Sequence, residues 1–159
     1  MNGFLTSLEE ALPGLRRYAL AMLSDQRDAD NIVRTCLARA LGRLSESGEA
    51  ARLRIWLFAL MYRELATRSR PRRRRRLSSP HGNNASPEAS TELSRAFSGL
   101  RLEQRSAMFL ISVENLSYAA AAEVMAMPTA AIVELLKVGR EELRQAVEAG
   151  ASGLPLAGS

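Results

Sequence analysis

Apolar residues recur every three or four positions through most of the chain, a period that predicts helices rather than strands. Leu8, Leu12, Leu15, Ala19 and Met22 share one helical face behind a capping box read at Ser7 to Glu10, with a break expected at Pro13. A second helix is predicted to start near Asp25 to Asp28, where acids complement the positive end of the helix dipole. It places Ala29, Ile32, Val33, Cys36, Leu37, Ala40, Leu41 and Leu44 along one side. After a loop at Ser45 to Gly48, a third helix over about residues 49–68 carries Leu53, Trp56, Leu57, Leu60, Met61 and Leu65. Trp56 and Phe58 cannot be equally buried on it, and the period assigns Trp56 to the core. Three such helices with short connections can close around one small core.

The pattern lapses from Pro71 to Pro87. Arg72, Arg73, Arg74, Arg75 and Arg76 are followed by a stretch rich in Ser, Pro, Asn and Gly, which reads as a flexible linker. Helical signals resume at Ser86-Pro87-Glu88, and a helix to about Ser98 carries Leu93, Ala96 and Phe97. Another runs from about Leu102 to Val113, and Ser117 caps a short alanine-rich helix to Met125. The last starts at Pro128 or Thr129 and reaches about Val147, with Ile132, Leu135, Leu136, Gly139, Leu143 and Val147 on one side. Short helix, tight turn and longer helix form the helix-turn-helix outline. The predicted fold class is all-α: two small helical domains, residues 1–70 and 88–149, joined by a flexible linker at 71–87 and followed by a tail at 150–159.

Composition narrows the class. With 47% hydrophobic and 25% charged residues, the chain reads as a globular protein rather than a disordered one. The longest unbroken apolar stretch, Ile55 to Tyr62, falls well short of the roughly 20 residues a spanning helix needs. Glu9 and Glu10 stand where a signal peptide would carry its apolar core. The single cysteine, Cys36, cannot form an internal disulfide, so a cytoplasmic protein without a membrane partner is expected. The only histidine, His81, lies in the linker. No Cys/His cluster, phosphate-cradling glycine loop or nucleophile–base pair is legible, so neither catalysis nor a metal, cofactor or small-molecule substrate is expected.

Charge is divided unevenly. Residues 1–80 carry +8 and residues 81–159 carry −3, which together make the net +5 of the chain. A basic first half suits a polyanion, because counterion release drives such binding. The acidic second half does not.

Several motifs, in order, resemble a known family. Arg16-Arg17-Tyr18-Ala19, then Asp28-Ala29-Asp30-Asn31-Ile32-Val33, then Leu37-Ala38-Arg39-Ala40-Leu41 resemble sigma region 2, the part that grips the RNA polymerase clamp. Leu53-Arg54-Ile55-Trp56-Leu57-Phe58 resembles the helix that opens and reads the downstream promoter element. Leu100 with Glu103-Gln104-Arg105 resembles the start of sigma region 4, and Leu116-Ser117-Tyr118, Ala121-Ala122-Glu123-Val124 and Met127-Pro128 resemble its helix-turn-helix. Over residues 8–147 the chain therefore resembles the extracytoplasmic-function type of sigma-70 factor. That resemblance implies RNA polymerase core, promoter DNA and an anti-sigma factor as partners.

Carried over residue by residue, the resemblance points to Asp28, Asp30, Asn31, Arg34 and Thr35 for polymerase contact. At the four matched positions, Asp30, Asn31, Arg34 and Thr35, one acid of the family's pattern is kept and three positions depart from it. For DNA it points to Arg54, Tyr62, Arg63, Arg68 and Arg70, where aromatic stacking and phosphate pairing would hold an unpaired strand. The adjoining Arg72–Arg76 run would add phosphate contacts, or would meet an acidic protein. In the last helix Thr129, Lys137 and Arg140 are the candidates for groove contact. Val133, Leu135 and Val138 instead suggest a surface for a protein partner. Ala126 stands where the family favours glycine. Two functions are open: an alternative sigma factor that directs promoter-specific initiation, or a sigma mimic of the kind that sequesters an anti-sigma factor in general stress systems.

Overall fold

A computed structural model of the protein describes residues 2–43, 50–69 and 90–152. Among the described residues there are seven helices and no strand. They are α1 (Asn2–Leu23), α2 (Gln26–Gly42), α3 (Ala50–Ser69), α4 (Ser90–Gly99), α5 (Leu102–Ser112), α6 (Tyr118–Met125) and α7 (Thr129–Ser152). The all-α class is as expected. Leu44, the linker arginines, the helix start at Ser86-Pro87 and the end of the tail lie outside the described residues.

Two expectations for α1 fail. The helix begins at Asn2, so Ser7 lies inside it and its hydroxyl donates to the Gly3 carbonyl at 2.9 Å instead of capping. Pro13 does not break it. Its ring sits on the exposed side, where the carbonyl that loses its partner faces water, while Ala11, Leu15, Tyr18, Ala19 and Met22 anchor the other side in the core. The start of α2 is as read: Asp25 caps it, its carboxylate accepting from the amides of Arg27 at 2.8 Å and Asp28 at 3.1 Å.

Burial on α3 corrects the assignment of its aromatics. Phe58 is fully buried and Trp56 only half-buried. The reason is that α3 packs on α1 and α2 and also on α5 and α6. Its buried residues Leu53, Leu57, Phe58, Leu60, Met61 and Leu65 therefore span a wider arc than one stripe. Two other residues read as core-facing, Leu41 and Leu93, are 47% and 54% exposed.

The helix-turn-helix outline is present. Ser117 caps α6, its hydroxyl accepting from the Ala120 amide at 3.0 Å. α6 ends at Ala126 in the left-handed conformation, φ 52° and ψ 47°, and the Met127 amide closes back on the Ala122 carbonyl at 3.0 Å. α7 then leaves at 97° to α6. Across the α5–α7 crossing a Cβ at Gly139 would meet Met108 Sδ at 3.2 Å, so the absence of a side chain permits the close approach.

The α1–α3 and α4–α7 groups do not keep separate cores. One buried cluster runs through both, from Ala11 to Leu136. Its junction is aromatic: the Tyr18 ring of α1 meets Phe58 of α3 edge-on at 5.7 Å and Phe109 of α5 at 5.5 Å.

Candidate polymerase and nucleic-acid interface

Side chains at the two predicted binding faces are distributed unequally. On α2, Asp28, Asp30, Asn31 and Arg34 are exposed. Thr35 is half-buried, and its hydroxyl donates to the Asn31 carbonyl at 2.9 Å. Gln26 reaches Asp30 across one turn at 3.4 Å. This face presents mixed polar chemistry to solvent along the first three turns of the helix.

On α3, Arg63 and Arg68 are exposed, but Tyr62 is half-buried against the core. Burial raises the Tyr62 phenol pKa, with a smaller contribution from Glu103. Arg63 lines a shallow cleft between α2 and α3 with Arg39, Gly42, Arg43 and Leu60. Arg39 in turn pairs with Glu64, a carboxylate buried at the base of this basic face. Arg70 and Arg72–Arg76 lie outside the described residues.

Arg54 is half-buried and engaged across the junction. Its guanidinium lies 5.5 Å from the Phe58 ring centroid and donates to Glu114 of the second helical group. The Nη2 group reaches the Glu114 carbonyl at 2.9 Å and Oε2 at 3.0 Å. Arg17 of α1 grips the same carboxylate in a two-pronged contact, Nε to Oε1 at 3.0 Å and Nη2 to Oε2 at 3.2 Å. The pairing raises the Arg17 pKa, first through the hydrogen bond and then through the charge of Glu114. The Glu114 side chain is only 2% exposed, whereas those of Arg17 and Arg54 are 55% and 41% exposed. Gly14 makes room for it, since a Cβ there would lie 2.9 Å from Glu114 Oε2.

Two further polar contacts cross the same junction. Tyr18 donates to Ser106 Oγ at 2.8 Å, and Arg105 donates to the Met22 carbonyl at 2.7 Å. A cation at that position also suits the negative C-terminal end of α1.

On α7, Thr129, Lys137 and Arg140 are exposed, and Val133 is 45% exposed. Leu135 and Val138 are half-buried, and Leu135 packs against the core. The three apolar residues therefore do not form one open patch. Arg144 is taken up by Glu141 and Glu148, each at 2.6 Å.

The residues that join the two groups, Gly14, Arg17, Ser106 and Glu114, were not among the sequence candidates. Arg17 lay within a motif read for polymerase binding. Glu114 had no comparable signal, because an acid at the end of α5 reads as a solvated residue until its arginine partners are placed. Among the described residues no cluster of three or more His, Cys, Asp or Glu could hold a metal ion. No single described helix is long and apolar enough to cross a membrane.

Comparison with known proteins follows the same division of the chain. Residues 8–62, covering most of α1, all of α2 and the first part of α3, match the family described as the sigma2 domain of PhyR. The ECF RNA polymerase sigma factor EcfG of Rhodopseudomonas palustris is 27% identical over 143 residues, 84% of this chain and 78% of that protein. The sigma factor RpoE of Bartonella quintana, solved with the anti-sigma factor NepR, aligns with a TM-score of 0.77 at 23% identity, over 93% of this chain and 98% of its own. PhyR of the same organism, an anti-anti-sigma factor solved with NepR, aligns with a TM-score of 0.65 at 21% identity, over 89% of this chain and 49% of its own. These two structures share the fold, while the EcfG match extends the sequence likeness across both helical groups. In motif order and in its sequence relatives, the chain is similar to sigma factors of the extracytoplasmic-function type.

Proposed function

We propose that the protein is an alternative sigma factor that binds RNA polymerase core in the cytoplasm and directs promoter-specific transcription initiation. The observation that carries this reading is the exposed polar face of α2, with Asp28, Asp30, Asn31 and Arg34 open to solvent. In this reading that face, with Thr35, docks on polymerase. Tyr62, Arg63 and Arg68 lead a DNA strand toward Arg70 and Arg72–Arg76, and Thr129, Lys137 and Arg140 contact duplex DNA. The working units are residues 1–70 and 88–149, with 71–87 as linker and 150–159 as tail. Such a protein regulates transcription and catalyses nothing itself, and an anti-sigma factor is its natural antagonist.

A second reading is favoured by one feature of α7. Its exposed surface mixes Glu134, Glu141, Glu142 and Glu148 with Lys137 and Arg140, while Arg144 is already paired to two of these acids. Phosphates are attracted weakly to such a surface, so this helix suits a protein partner such as an anti-sigma factor. Co-purification with core polymerase followed by run-off transcription on genomic fragments separates the two. Initiation that depends on this protein establishes the first reading. Absence of both core binding and initiation rejects it in favour of the second.

A further inference from the structure

We propose that Arg17 and Arg54 form a phosphate-binding site that Glu114 fills in the closed chain, so that docking of the two helical groups and binding of a nucleic-acid strand exclude one another. The inference rests on the DNA-binding reading above and adds a site and a competition that it did not contain. Its chemistry is the convergence of two guanidinium groups on one anion, with Arg17 in the planar two-pronged geometry that suits carboxylate and phosphodiester oxygens alike. Glu114 therefore stands where a backbone phosphate would stand.

Placement supports the same conclusion. Arg54 shares α3 with Tyr62, Arg63 and Arg68, and the chain runs from that helix into Arg70 and Arg72–Arg76. Around the helix Arg54 lies on the side of Tyr62 and Arg68, so a strand held along those two would meet it next, while Arg63 faces the α2 cleft on the opposite side. Exposure explains how one anion can replace the other. The arginines remain about half in water while the carboxylate is dry, so a phosphate can approach them from the solvent side as Glu114 withdraws. Withdrawal returns Glu114 to water and removes the desolvation cost that its burial carries. Gly14 leaves room for this carboxylate, which a Cβ there would crowd at 2.9 Å.

The test measures binding of a fluorescent single-stranded oligodeoxynucleotide by the full chain, with small-angle scattering to read compactness. Glu114→Gln should raise oligonucleotide affinity roughly fivefold or more, the range of an ordinary coupling between sites, and saturating oligonucleotide should expand the chain. Adding Arg17→Ala and Arg54→Ala should abolish that gain. Glu9→Gln, which makes the same charge change at an exposed position on α1, should leave affinity near the parent value. Gly14→Ala changes no charge and keeps both arginines, so it should raise affinity even if Glu114→Gln folds poorly. Unchanged affinity in the folded variants overturns the proposal, as does a gain that survives loss of both arginines. Failure of the sigma reading would show separately, as absence of core-dependent initiation in parent and variants alike.

Discussion

The Tyr18 hydroxyl donates to Ser106 Oγ at 2.8 Å, tying α1 to α5 across eighty-eight positions of sequence. Both residues are fully buried. The ring packs between Phe58 and Phe109, so one side chain supplies both the apolar and the polar part of the junction. Burial raises the phenol pKa strongly, and the bond to Ser106 opposes that shift only in part. The hydroxyl stays protonated and available as a donor.

Tyr18→Phe keeps the ring and removes this one donor. It should lower unfolding free energy by about 1 kcal/mol, the ordinary net worth of a buried neutral hydrogen bond. Tyr18→Ala, which also empties the ring's space, should cost about 3–5 kcal/mol. Urea titration followed by circular dichroism checks both, and equal losses would show that the hydroxyl, not the ring, holds the junction.

Ala126 adopts a left-handed backbone at the turn between α6 and α7, where its Cβ is a steric burden. The side chain is exposed, so replacing it forfeits little packing. Ala126→Gly should therefore stabilise the protein by about 1 kcal/mol. A thermal melt that shows no rise would mean that restricting the unfolded chain at this position offsets the strain.

Cys36 is buried, and desolvation, followed by the charge of Glu64, pushes its thiol up from 9.0 to about 12. The folded protein should react with Ellman's reagent far more slowly at pH 8 than the unfolded chain does. The linkage has a definite sign. The folded state holds the proton more tightly, so this contribution to stability is full below about 9 and is lost progressively as pH rises toward about 12. Cys36→Ala should remove that part of the alkaline dependence, as read by denaturant midpoints across the pH range.

The Arg72–Arg76 run makes a prediction about salt. If all five arginines contact phosphates, replacing them with alanine should reduce affinity for single-stranded DNA. It should also make the slope of log affinity against log salt shallower by up to about 3.5. An unchanged slope would reject a phosphate role for the run.

Periodicity by itself determined the helices and most of their inward faces. Ala29, Ile32, Val33, Cys36 and Ala40 are all buried on α2 as the three-four repeat requires, and Asp25 and Ser117 cap where their residue types predict. These are local properties, set within a turn or two of chain. What the residue pattern could not decide were positions whose neighbours come from elsewhere. Phe58 rather than Trp56 is enclosed because α3 is covered on two sides. Leu41 is exposed although it belongs to the same apolar repeat. Pro13 is tolerated because the rest of α1 is anchored in the core. The functional candidates divide in the same way. The mixed face of α2 was legible because exposure follows from the period. The engagement of Arg54 with Glu114 was not, since an arginine on a solvated face and one committed to a buried carboxylate sixty residues away look alike in sequence. Sequence thus determined which helices form and which family they resemble. Tertiary structure alone decided that the two groups share one core and that Glu114 fills the arginine pair between them, because a buried ion pair exists only once distant parts of the chain exclude water together.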